Sequence, residues 1–264
     1  MISSRTQQNI KPRKRFGQNF LQDKNIILKI IEAIAPKKTD HIVEIGPGLG
    51  ALTVQLLPVL KTMDVIELDR DLIPKLQTAC RNLGKLNIHQ ADVLQFDFKK
   101  LVKNKHLVRV IGNLPYNIST PLIFHLLKQI SYIRDMHFML QKEVAQRLAA
   151  KPNRKDYGRL SVMVQYFCGV TELFTVSPHA FYPVPKVDSA LVRLVPHKKI
   201  LLPAKDVSVL EKIVKLAFNQ RRKMISNCLK DIVSNEQFRI LNIDPKLRPE
   251  QLSVGDFVKI SNII

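Results

Sequence analysis

Residues 112–119 read Gly-Asn-Leu-Pro-Tyr-Asn-Ile-Ser and directly follow an apolar run at 107–111. Asn113 brings an amide oxygen. The peptide carbonyl of Leu114 is stiffened by the proline that follows it. Two acceptors aimed at one point suit an amine that carries two hydrogens, and the neighbouring Tyr116 offers a flat face to a nucleobase. The chemistry implied by these types at this spacing is capture of an exocyclic amine on a base. The same tetrapeptide also makes a plain turn, because Asn, Gly and Pro all interrupt regular structure.

The upstream sequence bears on that choice. Residues 44–53, EIGPGLGALT, lie between a short apolar strand at 41–45 and a helix at 49–60. Glycine has no Cβ and tolerates positive φ, so such a turn lets the backbone pass close to a ligand. The spacing Gly46, Gly48, Gly50 departs from the G-x-G-x-x-G dinucleotide fingerprint. A strand at 63–68 carries Glu67, whose carboxylate can accept both hydroxyls of a ribose. A strand at 86–90 ends at Ala91-Asp92, where a carboxylate can accept the amino hydrogens of adenine. Ligands of open α/β sheets bind outside the carboxyl ends of the strands, so Gly46, Glu67, Asp92 and Asn113 are expected to converge on one edge. Singly each has a plainer reading: Asp92 as a helix cap, Glu67 as a solvated side chain, the glycines as a turn. Jointly, and with Pro47 inside the turn, they favour a nucleoside cofactor without a pyrophosphate. S-adenosylmethionine meets that description better than a dinucleotide.

The elements that must position these residues follow from the hydrophobic pattern. Residues 24–35 have apolar residues at helical spacing and stop near Pro36. Strands and helices then alternate to about residue 150, as βαβ units around a parallel sheet do. A polar loop at 151–158 precedes an apolar element at 160–167, and residues 173–176 and 190–195 read as a closing pair of strands. From about residue 197 the pattern turns helical, at 207–218 and 223–233. The chain has 264 residues, with 42 Lys and Arg against 22 Asp and Glu, a net charge of +20 and a pI near 10. The basic excess runs along the whole chain and is densest in an N-terminal arm, residues 1–23. Such an excess suits phosphate contacts on a nucleic acid, although charge runs are usually solvated faces.

No apolar stretch approaches the ~18 residues of a membrane span, and the N-terminus lacks a signal-peptide core. The cysteines Cys80, Cys168 and Cys228 are odd in number and far apart, which reads as reduced thiols in a cytoplasmic protein.

The segments KRFGQNFLQD (14–23), EIGPGLGALT (44–53), Glu67-Leu68-Asp69, Ala91-Asp92, GNLPYNIS (112–119), MLQKEVAQRL (139–148), YGRLSV (157–162) and SPHAFYPVPKVDSALVRL (177–194) come in an order and at a spacing that resemble one family. It is the ribosomal RNA adenine dimethyltransferase family, which dimethylates two adjacent adenines near the end of small-subunit 16S RNA. FNQRRK (218–223) continues the likeness more thinly. The resemblance implies a Rossmann-like, seven-stranded class I methyltransferase domain over residues 1–196 and a small helical RNA-contacting domain over 197–264. It implies S-adenosylmethionine as cofactor without a metal, and 16S rRNA within the small ribosomal subunit as partner; the sequence is silent on oligomeric state, and a monomer is the default reading.

Residue by residue, Asn113 and the Leu114 carbonyl would accept the amine hydrogens, and Tyr116 and Phe181 would stack on the two faces of the base. Asn19 and Leu21 are carried over, on the resemblance alone, against the methionine part of the cofactor. Without the resemblance Phe181 reads as core. Dimethylation asks the site to tolerate a methyl already present, which small Gly112 and Ser119 would allow. Three other readings stay open: a 23S rRNA adenine methyltransferase, a binding-only ribosome assembly factor, and a nicotinamide oxidoreductase, the last at odds with the glycine spacing.

Overall fold

The computed structural model describes Arg13, residues 17–102 and residues 106–264. Most of the basic arm read from the sequence therefore lies outside the described residues.

The chain divides into two compact units, Met1–Ala145 with Thr171–Pro196, and Gln146–Val170 with His197–Ile264. The division expected at 196/197 is thus incomplete, because residues 146–170 cluster with the tail.

Strands β2 (Ile42–Ile45), β3 (Thr62–Glu67), β4 (Lys85–Gln90), β5 (Val108–Asn113), β6 (Ile133–Gln141), β7 (Cys168–Val176) and β9 (Ser189–Pro196) form one sheet in the order β4-β3-β2-β5-β6-β9-β7, all of it in the first unit except Cys168–Val170. A two-stranded ribbon pairs β1 (Phe20–Leu21) with β8 (Phe181–Tyr182). Pairs β2–β3, β2–β5, β3–β4 and β5–β6 are parallel, whereas β9 runs against its neighbour β6. Every residue of β2 and the first five of β5 are buried, as in strands covered on both faces. The winding goes outward from β2 to β4 and then restarts at β5 on the other side. That reversal opens a crevice between the ends of β2 and β5, where open sheets bind ligands.

Helix α1 (Lys24–Ile34) begins where Asp23 accepts from the backbone N–H groups of Asn25 and Ile26, and it buries Ile27, Ile30 and Ile34. Helices α2 (Thr53–Leu60), α3 (Ile73–Ala79) and α4 (Ser119–Leu127) follow β2, β3 and β5, and α5 (Lys142–Ala149) follows β6.

In the second unit, helices α6 (Arg159–Phe167), α7 (Val207–Asn219) and α10 (Val254–Asn262) pack together, with the Phe218 ring 6.2 Å from Tyr157 and 5.7 Å from Phe257. Helix α6 buries Leu160, Val162, Met163, Val164 and Tyr166, which explains why this stretch belongs with the tail. The helix expected at 223–233 shrinks to α8 (Ile225–Cys228), followed later by α9 (Asn235–Ile240). Ser226, Asn227 and Cys228 are weak helix formers, and the buried Ile225 and Leu229 hold the single turn in place.

Candidate active site

The crevice is a cavity of about 310 Å³, and its wall contains Asn19, Leu21, Gly46, Gly48, Glu67, Asp92, Asn113, Leu114 and Tyr116. Nine of the ten residues named from the sequence thus meet in one space, and all nine belong to the first unit. The topology accounts for this. Glu67 and Asn113 are the last residues of β3 and β5, and Gly46 and Asp92 come just after β2 and β4.

Gly46 has φ +63°, and a Cβ built on it would meet nothing within 4 Å. The turn therefore leaves room beside its backbone, which a bulkier residue would fill while straining the chain. Glu67 closes the turn from the other side. Its two carboxyl oxygens accept the N–H of Gly48 at 3.1 Å and the N–H of Asp69 at 2.8 Å. Burial pushes its pKa up, against the pull of these N–H groups, with the Asp69 charge adding to the rise. Asp92 combines the two roles that the sequence left open. One oxygen accepts the Leu94 N–H and caps a short 3-10 turn, while the residue also faces the cavity.

Asn113 is oriented by the chain's own N-terminal segment. Its Nδ2 donates to the Asn19 carbonyl at 2.7 Å, which fixes the amide and leaves Oδ1 as the acceptor on the other side. The Leu114 N–H donates to the Met139 carbonyl at 3.2 Å, tying the start of the loop to β6. Tyr116 is half-buried, and its hydroxyl lies 2.8 Å from Ser189 Oγ. Burial raises its pKa, against the Ser189 hydrogen bond.

Three expectations need correction. Phe181 does not reach the cavity: it is 2 % exposed and packs in the core cluster with Leu21 and Ala180. Alternation along β8 turns its ring inward and leaves Tyr182 outside. Gly112 makes no room for a methyl group, because a Cβ there would sit 2.7 Å from the Ile45 carbonyl and 3.0 Å from a Leu114 methyl carbon. Its smallness serves the close approach of β5 to the end of β2. Ser119 is buried and donates to the Tyr116 carbonyl at 3.1 Å, so it shapes the loop.

Sequence reasoning passed over four residues. Glu44 stands in the quoted glycine segment, yet it was given no role. It faces the cavity, is 2 % exposed, and receives the Thr53 hydroxyl at 2.6 Å. Burial pushes its carboxyl up to about 7, with the Glu67 charge adding and Thr53 opposing. Gln18 and Asp69 hold the N-terminal segment over the crevice. Gln18 Nε2 donates to Asp69 Oδ2 at 2.9 Å, and Arg13 donates to Asp69 at 3.1 Å and also to Asp71. Ser189, the partner of Tyr116, lies 73 residues away in the chain, which no local spacing could have revealed.

The donor set suits a nucleoside with a cationic arm: carboxyls at Glu67 and Asp92, a glycine turn with open space, and apolar walls from Leu52, Ile66 and Val93. No group of three or more His, Cys, Asp or Glu side chains able to hold a metal occurs among the described residues, and no helix among them is long and apolar enough to cross a membrane.

Comparison with known proteins adds an independent line. A family model described as Ribosomal RNA adenine dimethylase matches residues 9–264. A relative from Marinomonas sp. (strain MWYL1), named Ribosomal RNA small subunit methyltransferase A, is 56% identical over 254 residues, which is 96% of each chain. The solved structure of a dimethyladenosine transferase from Plasmodium falciparum is 29% identical, covers 91% of this chain and 95% of its own, and superposes with a TM-score of 0.77. That of the 23S rRNA methyltransferase ErmE is 23% identical, covers 92% and 98%, and has a TM-score of 0.72, a likeness of fold.

Proposed function

Because the chain belongs to the ribosomal RNA adenine dimethylase family, we propose that it converts two adjacent adenines near the 3′ end of 16S rRNA to N6,N6-dimethyladenosine, using S-adenosylmethionine, in the cytoplasm and as a monomer. The name of the Marinomonas relative favours the small subunit as target.

The observation that carries the reading is the fixed amide of Asn113. An adenine amine is a poor nucleophile, because its lone pair is delocalised into the ring. Asn113 Oδ1 and the Leu114 carbonyl accept its two hydrogens and draw the nitrogen toward tetrahedral geometry, which turns the lone pair out of the ring plane. The contribution is positioning and electrostatics. The amide cannot turn its NH₂ toward the amine without giving up the Asn19 carbonyl, so the acceptor is already in place. Transfer of the methyl would leave the cofactor's sulfur as a neutral thioether and the nitrogen as a cation; once that cation has released a proton to solvent one hydrogen remains, and one of the two acceptors suffices.

S-adenosylmethionine, when bound, supplies a methyl already activated on a sulfonium cation. Glu67 would hold its ribose, Asp92 the amino group of its base, the Gly46–Gly48 turn its sugar edge, and Asn19 and Leu21 its methionine part. The target base must leave its stack to enter, and Tyr116 stacks on one of its faces, a contact worth ~1–3 kcal/mol. Phe181 could serve the other face only if the β1–β8 ribbon opened, since its ring lies in the core.

The test is mass spectrometry of RNA after incubation with labelled S-adenosylmethionine. Dimethyladenosine at two adjacent positions of 16S RNA in immature 30S particles is the expected result. Label confined to free 23S RNA would reject the small-subunit reading. Particle binding without any label would leave a binding-only assembly factor.

A further inference from the structure

Ser189 is the first residue of β9 and is 0 % exposed. The three residues after it, Ala190, Leu191 and Val192, are buried and apolar. A residue needed only for packing at the start of this strand would be apolar too. A buried hydroxyl is stable only with a partner, and its partner is the Tyr116 hydroxyl at 2.8 Å. The seat is rigid, because Ser189 is in register with Gln141 of β6 and the adjacent Asp188 carbonyl accepts the Lys142 N–H at 2.9 Å. The tyrosine is held at its other end as well: Ser119 donates to its carbonyl, and the Ile118 N–H donates to the Pro115 carbonyl at 3.2 Å. The phenol oxygen is thereby held at β9, while Tyr116 also lines the cavity.

We infer that Ser189 is a positioning residue for methyl transfer: through the Tyr116 hydroxyl it locks the aromatic wall against which the target base is held. The inference rests on the proposed function. A tyrosine free to turn about its side-chain bonds would still give an apolar surface, but it would spend part of its time where the base could not lie flat with its amine at Asn113 and Leu114. The rate step suffers from such freedom, whereas affinity for the particle, dominated by phosphate contacts, does not.

A double-mutant cycle separates action through Tyr116 from a general effect on the fold. Ser189→Ala, Tyr116→Phe and the double variant are compared in kcat and in KM for immature 30S particles, with S-adenosylmethionine affinity measured by calorimetry to verify a folded cofactor site. Ser189→Ala is expected to lower kcat about fivefold, the size of one neutral hydrogen bond, with KM and cofactor affinity within about twofold of the wild type by the phosphate argument above. In the Tyr116→Phe background the same change is expected to do nothing further. If Ser189→Ala leaves kcat untouched, or lowers it equally in both backgrounds, Ser189 does not act through Tyr116. A wild-type protein that labels no adenine would instead bring down the proposed function itself.

Discussion

The two ends of the central sheet carry the same kinds of group and use them in opposite ways. At the amino end, Arg109 Nη1 donates to Asp40 at 2.7 Å, its Nε lies 3.0 Å from both Asp135 oxygens, and its Nη2 donates to the Ile34 carbonyl at 2.7 Å. Arg134 reaches the second Asp40 oxygen at 2.9 Å. At the carboxyl end, Glu44 and Glu67 face a cavity and meet hydroxyl and N–H donors rather than cations. The pKa values divide accordingly. Burial works to raise all four, yet Asp40 and Asp135 end up lowered, Asp40 by the Lys37 N–H and Arg109, and Asp135 by His137 and Arg109. Glu67 is raised and Glu44 reaches about 7. A carboxyl whose charge is met within the chain ties strands together. One left without a cation keeps its capacity for a ligand from outside.

Breaking the amino end should have the largest effect. Arg109→Met leaves Asp40 and Asp135 buried without their shared cation, and is expected to cost about 3–5 kcal/mol of stability, read by chemical denaturation. Transfer per folded molecule should be unchanged. A loss below about 1 kcal/mol would mean that Arg134 and His137 suffice to hold this end.

At the carboxyl end, Asn113→Ala should reduce kcat by about 10²–10³-fold, the scale of removing one preorganised polar group from a reacting centre. Particle binding, followed by sedimentation, should stay within about twofold, because phosphate contacts carry it.

Glu44 sharpens the contrast through pH. Its folded pKa lies above its unfolded one, so the folded state holds the extra proton between pH 4.5 and about 7. That contribution is complete below the lower value and fades as pH rises through the upper one. Glu44→Gln should therefore gain stability relative to the wild type on going from pH 5 to pH 8, by up to about 3 kcal/mol. The paired carboxyls at the amino end have the opposite sign, their contribution being lost as pH falls. A melting-temperature difference between variant and wild type that is flat in pH would remove Glu44 from the comparison.

The smallest effect is expected at Asp92. Asn caps as well as Asp, so Asp92→Asn should keep the 3-10 turn while removing one acceptor from the cavity. S-adenosylmethionine affinity by calorimetry should weaken about tenfold, or 1.4 kcal/mol, with the melting temperature unmoved.

How much of this was legible before folding depends on the range of the cause. Gly46, Glu67, Asp92 and Asn113 could be read because each stands at the end of an apolar run, and the ends of parallel strands share one edge whatever else the chain does. The part of the second unit contributed by residues 146–170 could not, because α6 looks like any amphipathic element until its partners α7 and α10, at 207–219 and 254–262, are in place. The helix expected at 223–233 failed for the opposite reason, a local pattern overruled by weak helix formers between two buried anchors.

By itself, the order of residues determined the alternation of strands and helices, the glycine turn and the polar strand ends, since these depend on neighbours a few positions apart. Only the tertiary structure decided which atoms are committed and which are left over. The Asn113 amide answers to a carbonyl 94 positions away and the Tyr116 hydroxyl to a serine 73 away. The Phe181 ring is turned into the core by its pairing with Leu21. A hydrogen bond is a relation between two atoms at about 3 Å, and separations of that kind exist only once the chain has closed on itself.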